Sequence, residues 1–550
     1  SAAGDARVST ASMRSDVART AVVVGALTLV ARIAGVGRWL VFSKTVGDTC
    51  LGDVYTAANQ LPNVLFEVVA GGVLAGVVVP VLARQLAATT GTAGRRRADA
   101  GRTTSGLLCW TLVILTPAGI AALALSRLYG RAFVAPTCTG GDTVAAALLV
   151  MFVPQLWLYG LAVVSAGVLQ AHGRFVAATV APLLSSAVVI GTYAAAGWLL
   201  TGPERADVAQ VQPAALRVLG WGTTAGVLAL AVSTVVPMLR IGLPLRPTLR
   251  FAPEVAGAVR RMAAASLAGL IAQQAVTLLM TLVARTSNDD GAVTRLVWAN
   301  AIYLLPYAVL AAPLIQVVFP RLTEAAAGDG TEAGSDGRSN RAVADLLRRH
   351  GPAVIVLSCA GAGGLVAVAV PLARVFVLGP GSGRTEALAW PIVALAPGVV
   401  GIALLTFASR TLLAVHAARP AGLCTVTGWL VAGLGVLVSM ALPAAWVVTG
   451  IGASVSVGLL VGAVLGWMLV GRALPDEPLE WRRPILAGAV GGVLAAAPVM
   501  TAPLLTQASL PVAVLAGLGC GVLALVLVAG TVRLVDPTSF RQARSVLSRG

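Results

Sequence analysis

The stretch that decides the fold is residues 18–45, ARTAVVVGALTLVARIAGVGRWLVFSKT, a long apolar run that contains Arg32 and Arg38. A helix needs about 20 apolar residues to cross a bilayer, and this run is long enough. A charge at the centre of a membrane helix costs on the order of 3 kcal/mol on insertion scales. Two arginines at this depth therefore indicate a function. Their guanidinium groups favour an anionic, phosphate-bearing ligand.

Similar apolar runs fill the rest of the chain. Of its 550 residues 57% are hydrophobic and only 11% are charged, and 61 are glycine. This composition is typical of an integral membrane protein, in which small residues let helices pack closely. We predict an all-α polytopic membrane protein with fourteen transmembrane helices. The predicted spans cover residues 18–45, 55–83, 104–126, 144–170, 175–200, 216–239, 257–285, 293–320, 351–376, 387–412, 420–443, 446–471, 484–507 and 510–532.

The positive charges predict the orientation of these helices. The chain has 39 basic residues and a net charge of +17, and Lys44 is its one lysine. Most of the arginines lie in the N-terminal tail and in the even-numbered connections. Positively charged connections stay in the cytoplasm, so both termini are predicted to be cytoplasmic. The charge thus marks topology, and we expect no nucleic-acid partner.

An internal repeat divides the chain. The segment VVVPVL at 77–82 recurs as QVVFPRL at 316–322, and the turn around His172 recurs around His416, with spacings of 240 and 244 residues. These spacings predict two six-helix lobes in a pseudo-twofold repeat, followed by two additional helices. The predicted units are a cytoplasmic tail 1–17, an N-lobe 18–240, a cytoplasmic linker 241–256, a C-lobe 257–472, the last two helices 473–535, and a basic cytoplasmic tail 536–550.

Two of the six cysteines, Cys50 and Cys138, fall in predicted outer loops, whereas the other four lie in spans. They are either two unrelated thiols or one disulfide across the N-terminal half. The outer face is oxidising, which favours the disulfide.

Glu67 lies within the second span, at a depth similar to that of Arg32. One interpretation is an ion pair between Glu67 and either Arg32 or Arg38 that stabilises packing. One carboxylate cannot neutralise two arginines, however, so at least one arginine is left for a ligand. Gly35 and Gly37 stand between the arginines, and we expect a bend there that lets both side chains reach one cavity.

Two further polar residues are candidates on the second span. Asp53 opens this helix and is expected either to cap it or to contact the ligand. Asn63 follows Pro62 at an expected helix break, where its amide would serve freed backbone groups. The sequence contains no hydrolase elbow, P-loop, dinucleotide fingerprint or metal-type Cys/His spacing, so we predict neither an enzyme nor a bound metal or cofactor.

A family resemblance rests on a few short segments. They are ARIAGVGR at 31–38, GDVY at 52–55, LPNVL at 61–65, Gly72, and VPVL at 79–82. The sequence resembles the MurJ (MviN-type) lipid II flippases of the multidrug/oligosaccharidyl-lipid/polysaccharide exporter superfamily. The resemblance implies two lobes around a central cavity, a groove for the lipid tail along the last two helices, and cavity-facing roles for Arg32 and Arg38. It also implies that Asp53 is the family's acidic residue at the start of the second helix.

The sequence also departs from the family. Phe66 and Glu67 stand where the family often has two arginines, and Asn300 marks the place of its arginine in the eighth helix. We expect Asn63, Glu67 and Asn300 to contact the substrate together with the helix-1 arginines. The ranges 257–285 and 420–443 contain no acidic residue, which disfavours the sodium site of some family members.

The preferred hypothesis is a flippase that moves lipid II from the inner to the outer leaflet of the cytoplasmic membrane by alternating access, with the arginines on the pyrophosphate. The alternatives are a multidrug or other polysaccharide-lipid exporter of the same fold, a non-transporting membrane scaffold, and a lipid-modifying enzyme. Paired catalytic groups inside the membrane are missing, which disfavours the enzyme. We expect a monomer in contact with membrane lipids, and the resemblance implies association with cell-wall synthesis or division proteins.

Overall fold

A computed structural model describes most of the chain. The described residues are 27, 30–69, 82, 85, 93–250, 253–327, 335–479, 481–501, 505–535 and 537. The predicted N-terminal tail, the first part of span 1, the repeat motif at 77–81 and most of the basic C-terminal tail lie outside them. The described residues form helices and turns, with one isolated backbone bridge between Asp48 and Gly381.

The long helices follow the predicted order. We number them α1, residues 30–45; α2, Cys50–Val69; α3, Ala93–Ala124; α4, Gly141–Ala171; α5, Phe175–Leu199; α6, Pro213–Leu239; α7, Pro253–Ala284; α8, Ala292–Ala327; α9, Ser335–Val377; α10, Glu386–Ala414; α11, Ala418–Val438; α12, Val447–Ala473; α13, Arg482–Ala495; and α14, Leu510–Val535. Within the described residues, twelve helices are long and apolar enough to cross a membrane. These twelve are α3 to α14, and α1 and α2 precede them.

The helices pack in two groups. In the first group α6 packs on α4 and α5, α4 packs on α3, and α2 packs on α4. In the second group α12 packs on α10 and α11, α9 packs on α10, and α7 packs on α11. The groups meet where α2 contacts α7 and α8, and α13 and α14 pack on α9 outside both. This is the predicted all-α, two-lobe architecture with two additional helices.

Small residues bring helices of the second lobe close together. At the crossing of α11 and α12, a Cβ added to Gly458 would lie 2.5 Å from the carbonyl oxygen of Gly428. Helices in lipid associate through close packing rather than through a hydrophobic driving force, so glycines are suited to this contact. The crossing fixes the wall of the second lobe that faces the first.

We call the ends of the helices near residues 46–53, 134–141, 285–291 and 378–385 the outer end, following the charge-based prediction. At the opposite, inner end, two predicted polar connections are shorter than expected. The connection 84–103 gives way to helix from Ala93, and the connection 324–345 gives way to α8 up to Ala327 and to α9 from Ser335. The helices therefore extend into the stretch between the predicted spans 293–320 and 351–376, on both sides of residues 328–334, which the structure does not describe.

The inner extension of α9 is stabilised by ion pairs, which apolar run length alone does not predict. Arg348 donates to Glu477 with a nitrogen–oxygen distance of 2.6 Å, and Arg341 donates to the same carboxylate at 3.2 Å. Arg348 also pairs with Asp345 one turn away. A charged helical surface of this kind is stable in water when its side chains pair, so the helix continues beyond its apolar stretch.

Proline affects two helices differently. The predicted break at Pro62 is absent, because α2 runs unbroken from Cys50 to Val69. In α8 the chain instead widens into a π-helical turn at Tyr307–Ala311, directly after Pro306. Proline removes a backbone donor and often causes such local widening. The altered turn lies beside a side opening described below.

Candidate functional site

A cavity of about 390 Å³ lies between the two lobes. Its walls come from α1, α2 and α4 to α6 on one side and from α7, α8 and α10 to α12 on the other. Its described lining contains two charged side chains, Arg38 and Glu67, and a group of carboxamides. These carboxamides are Asn59, Gln60, Asn63, Gln273, Gln274 and Asn300. The structure therefore brings four predicted site residues, Arg38, Asn63, Glu67 and Asn300, to one cavity.

Arg38 is only partly satisfied by the protein. Its guanidinium lies over the ring of Trp39, 5.3 Å from the ring centre, and its buried Nε has no hydrogen-bond partner in the described residues. A guanidinium has five N–H donors and no acceptor. The arrangement leaves donors available for an anionic group in the cavity.

Arg32 lies elsewhere. It is exposed and lines a second opening of about 610 Å³, which Arg38 also lines. This side opening is bounded by α1, by Pro182 and Ser185 of α5, and by Leu304 of α8. The expectation that both arginines line the central cavity therefore holds for Arg38, whereas Arg32 stands at the side opening.

The helix geometry explains this separation. Residues 30–45 form an unbroken helix, so the expected bend at Gly35 and Gly37 is absent. On a straight helix, positions six residues apart point about 120° from each other. Arg32 and Arg38 must then face different directions unless the helix changes shape.

The cavity-facing residues of α2 form one stripe. Thr56, Gln60, Asn63 and Glu67 line the cavity at intervals of three and four residues, as expected for one face of a helix. Asn63 donates to the carbonyl of Asn59 at 2.8 Å and accepts from the hydroxyl of Tyr159 at 3.2 Å. These bonds fix the amide of Asn63 in the middle of the stripe.

Glu67 ends this stripe toward the inner side. Its side chain is exposed, and none of the ion pairs or hydrogen bonds found in the described part of the chain involves it. The alternative interpretation, an ion pair of Glu67 with Arg32 or Arg38, is therefore not seen in this structure.

Asp53 lies at the outer end of the same stripe and has a different environment. Its Oδ2 accepts from the backbone N–H of Gly291 at 2.9 Å, and its Oδ1 accepts from the N–H and the hydroxyl of Thr294, both at 2.8 Å. It thus caps the start of α8 rather than its own helix. Its carboxylate is occupied by the second lobe and does not line the cavity, so the expectation of a ligand contact by Asp53 finds no geometric support here.

A buried charge cluster next to Asp53 was missed by the sequence analysis. Arg295 of α8 donates to Asp48 and to Asp289, both at 2.6 Å, and its side chain is 1% exposed. Ser382 donates to Asp48 at 2.6 Å, and Arg384 pairs with Asp289. We call Asp53 and these residues the outer closure. Arg295 carries the same signal as Arg32, a charge inside an apolar run, although it lies only two residues after the start of the predicted span 293–320.

Backbone contacts tighten the outer closure. Gly47 has φ of +80°, and a Cβ added there would lie 1.8 Å from the carbonyl oxygen of Pro380. Gly291 has φ of +85°, and an added Cβ would lie 2.3 Å from the carbonyl oxygen of Asp48. Only glycine permits both the positive φ and this approach. The two lobes are therefore in direct backbone contact at the outer end.

The two predicted cysteines are joined in the structure. Cys50 and Cys138 form a disulfide with Cα atoms 5.7 Å apart. Both residues belong to the first lobe, where the bond ties the start of α2 to the loop before α4. The other four cysteines are free thiols. Among the residues that the structure describes, no group of His, Cys, Asp or Glu side chains could hold a metal ion.

The fold and this inter-lobe cavity define the chain as a multi-pass helical membrane protein of the two-lobe transporter class. A family model described as lipid II flippase MurJ matches residues 42–534, so the chain belongs to the lipid II flippase MurJ family.

Individual relatives agree with this assignment. A probable lipid II flippase MurJ of Rhizobium meliloti (strain 1021) is 29% identical over 358 residues, which are 64% of this chain and 61% of that protein. The corresponding protein of Vibrio cholerae serotype O1 is 23% identical over 311 residues, 56% of each chain. The match thus spans less than two thirds of the length of these relatives.

Solved structures support the fold. The structure titled lipid II flippase MurJ, inward closed conformation, superposes with a TM-score of 0.68 at 16% identity, covering 93% of this chain and 99% of that one. An inward-facing MATE family multidrug transporter of the MOP superfamily gives 0.59 at 13% identity, covering 82% of this chain and 96% of that one.

Proposed function

We propose that the protein is a flippase that moves lipid II, a lipid-linked pyrophosphate precursor of peptidoglycan, from the inner to the outer leaflet of the cytoplasmic membrane. The observation that carries the proposal is Arg38, the one cationic side chain among the described residues that line the polar cavity between the two lobes, where it forms no ion pair. A guanidinium without a protein partner favours a ligand whose anionic oxygens accept its hydrogen bonds. A pyrophosphate supplies several acceptor oxygens. The family membership supports the same substrate.

The geometry suggests how a lipid-linked molecule would enter. The side opening at Arg32 leads between α1, α5 and α8 and shares Arg38 with the cavity. A headgroup would pass Arg32 and reach Arg38 while its lipid tail stays in the bilayer. A cavity of about 390 Å³ is in the range of small-molecule sites and is too small for a disaccharide with a peptide. The lobes would therefore have to separate to admit it.

Alternating access supplies that separation. The outer closure is shut, so the substrate would arrive from the inner side and leave after Asp53 and Arg295 release the second lobe. Affinity must be moderate, because a ligand bound equally tightly in both states shifts no equilibrium and is not released. Transport of this kind makes and breaks no covalent bond, so the protein is proposed not to be an enzyme.

The experiment that tests this proposal measures lipid II flipping in reconstituted vesicles and growth of a strain depleted of its own flippase. We expect Arg38→Ala to abolish both, and Arg38→Lys to restore only part, because lysine keeps the charge but loses the bidentate fork. We expect Arg32→Ala to abolish transport as well, since Arg32 stands at the proposed entrance.

Arg410 offers a matched control. It is also a helix arginine over an aromatic ring, 5.1 Å from the ring centre of Phe319, and it does not line the cavity. Arg410→Ala should therefore flip lipid II at the wild-type rate. Normal flipping by Arg38→Ala, at equal amounts of folded protein, would contradict the proposal.

A multidrug exporter is the second candidate, and one observation favours it. The open carboxylate of Glu67 in the cavity is the type of group that binds organic cations. That activity would not need Arg38, so drug efflux that survives Arg38→Ala and disappears in Glu67→Gln would support it. The predicted monomer, the cytoplasmic termini and an association with cell-wall synthesis or division proteins remain predictions.

A further inference from the structure

The cavity contains two charged groups that the protein leaves unpaired. Arg38 and Glu67 are its charged lining residues in the described part of the chain, and neither forms an ion pair there. The lining that the structure describes is therefore neutral overall, with the positive charge of Arg38 and the negative charge of Glu67 at separate positions. A pyrophosphate alone would pair with Arg38 and leave Glu67 without a partner.

Glu67 lies well away from Thr56, which lines the cavity toward its outer end. It follows Thr56 by 11 positions on the unbroken helix α2, which corresponds to about 16 Å along the axis. The side chains between them on the same stripe are amides, Gln60 and Asn63, which cannot neutralise a carboxylate. Glu67 therefore marks a distinct subsite at the inner end of the cavity.

The chemistry of Glu67 indicates the kind of ligand. Its carboxylate is exposed in the cavity lining and, when ionised, offers only acceptors. A ligand group that binds it must donate hydrogen bonds, and it is most favourable if it carries a positive charge. A primary ammonium has three donors, no acceptor and one positive charge.

We propose that Glu67 is a specificity residue that binds a free primary amino group on the headgroup of the transported lipid. This inference rests on the proposed flippase function and deepens it: the substrate class is a lipid-linked pyrophosphate whose sugar or peptide part carries an ammonium. Arg38 binds the phosphate end and Glu67 binds the ammonium end. The carboxamides between them accommodate the uncharged part.

The experiment compares two lipid II probes that differ only in one group. The first carries a free primary amine on its peptide, and in the second that amine is N-acetylated. A charge-assisted hydrogen bond contributes roughly enough free energy for a tenfold change in rate or more. We therefore expect wild type to flip the free-amine probe about tenfold faster than the acetylated probe in proteoliposomes.

The variants separate binding of the amine from other roles. Glu67→Gln should lose the preference by slowing only the free-amine probe, and Glu67→Asp should keep part of it. Glu324→Gln is the control, because Glu324 is an exposed carboxylate at the inner end of α8 outside the cavity. It should keep both the rates and the preference of wild type. A melting temperature for each variant identifies any that fails to fold.

Several results would overturn the inference while leaving the flippase intact. They are equal rates of wild type on both probes, and equal slowing of both probes by Glu67→Gln, which indicates a proton-carrying or structural carboxylate. If the wild-type protein flips neither probe, the proposed flippase function itself is refuted. Loss of both probes in Arg38→Ala, with the preference intact in wild type, supports both proposals.

Discussion

The two ends of helix α2 carry carboxylates in opposite situations. At the outer end both oxygens of Asp53 accept hydrogen bonds from Gly291 and Thr294 of the second lobe. Toward the inner end Glu67 lies open in the cavity without a protein partner in the described residues. The same helix thus closes the molecule at one end with satisfied groups and presents an unsatisfied group at the other.

This contrast indicates where the protein has groups available to bind a ligand. Buried charges are costly unless they are paired, and the outer closure pairs its charges within the protein, although the Oδ1 of Asp48 and the Nε of Arg295 have no hydrogen-bond partner in the described residues. Groups that the protein leaves unpaired, such as Arg38 and Glu67, are available to something that enters. A closed outer end, together with a cavity whose charged side chains have no protein partner, is the arrangement expected of a transporter that binds its substrate from the inner side.

The largest predicted effect comes from breaking the outer closure. In Arg295→Met, Asp48 becomes a buried carboxylate without its cation, and removing one partner of a buried pair costs about 3–5 kcal/mol. We expect the outer end to open. The measurement is labelling of Val297→Cys, a cavity position on α8, by an impermeant maleimide added from outside, after the four free cysteines are replaced.

Two comparisons control this experiment. Arg384→Met should have a smaller effect, because Arg384 shares Asp289 with Arg295 but its side chain is half exposed. The double variant Asp48→Asn with Arg295→Met should recover part of the closure, since both members of the pair lose their charge. Equally slow labelling in wild type and in Arg295→Met would show that this cluster does not hold the lobes together.

The sequence predicts the architecture well, because its signals are local. Long apolar runs, the positions of arginines and the repeat spacing each follow from how a single helix meets a bilayer. Polar residues inside apolar runs have few places to face, and this reasoning made Arg38, Asn63 and Glu67 candidates, whereas Asn300 became a candidate through the family resemblance. The polar stripe along α2 also follows from the sequence, because its members are three or four residues apart.

The outer closure was not predictable in the same way. Asp48 and Arg295 are 247 positions apart, and their pairing depends on how two lobes meet rather than on either helix alone. Asp53 was expected either to cap its own helix or to contact the ligand, because a sequence shows the local cap and not a distant one. The prediction of a bend at Gly35 and Gly37 was wrong for a related reason. Glycine permits a bend, but the packing of neighbouring helices determines whether one forms.

A smaller effect is expected from removing the disulfide, because it lies within one lobe, whereas the outer closure joins the two lobes. Removing it in Cys50→Ser with Cys138→Ser should destabilise the protein by about 2–4 kcal/mol, mainly by releasing a long loop of the unfolded chain. Cys50 and Cys138 are 88 positions apart in the sequence. The measurement is the melting temperature in detergent, which should fall. Faster labelling of Val297→Cys in this variant would contradict a purely intra-lobe role.

The smallest effect is predicted for the exposed cluster at the inner end. Glu477 pairs with Arg348 and Arg341, as Arg295 pairs with its two aspartates, but Arg348 and Arg341 are 36% and 73% exposed, and the cluster joins α9 to the connection between α12 and α13 rather than one lobe to the other. Exposed ion pairs contribute little, so Glu477→Gln should leave the labelling of Val297→Cys unchanged and shift the melting temperature only slightly. The hydrogen bond from Arg348 lowers the pKa of Glu477, with a further contribution from Arg341.

The sign of the pH dependence follows from that direction. Because the folded-state pKa lies below the ordinary value of about 4.3, the contribution is present above that value and is lost as the pH falls through the folded-state pKa. The small melting difference between wild type and Glu477→Gln should therefore be seen at neutral pH and disappear in acid. It should also shrink in high salt, which screens exposed charges. A melting shift from Glu477→Gln as large as that from Arg295→Met would show that burial is not what distinguishes the two clusters.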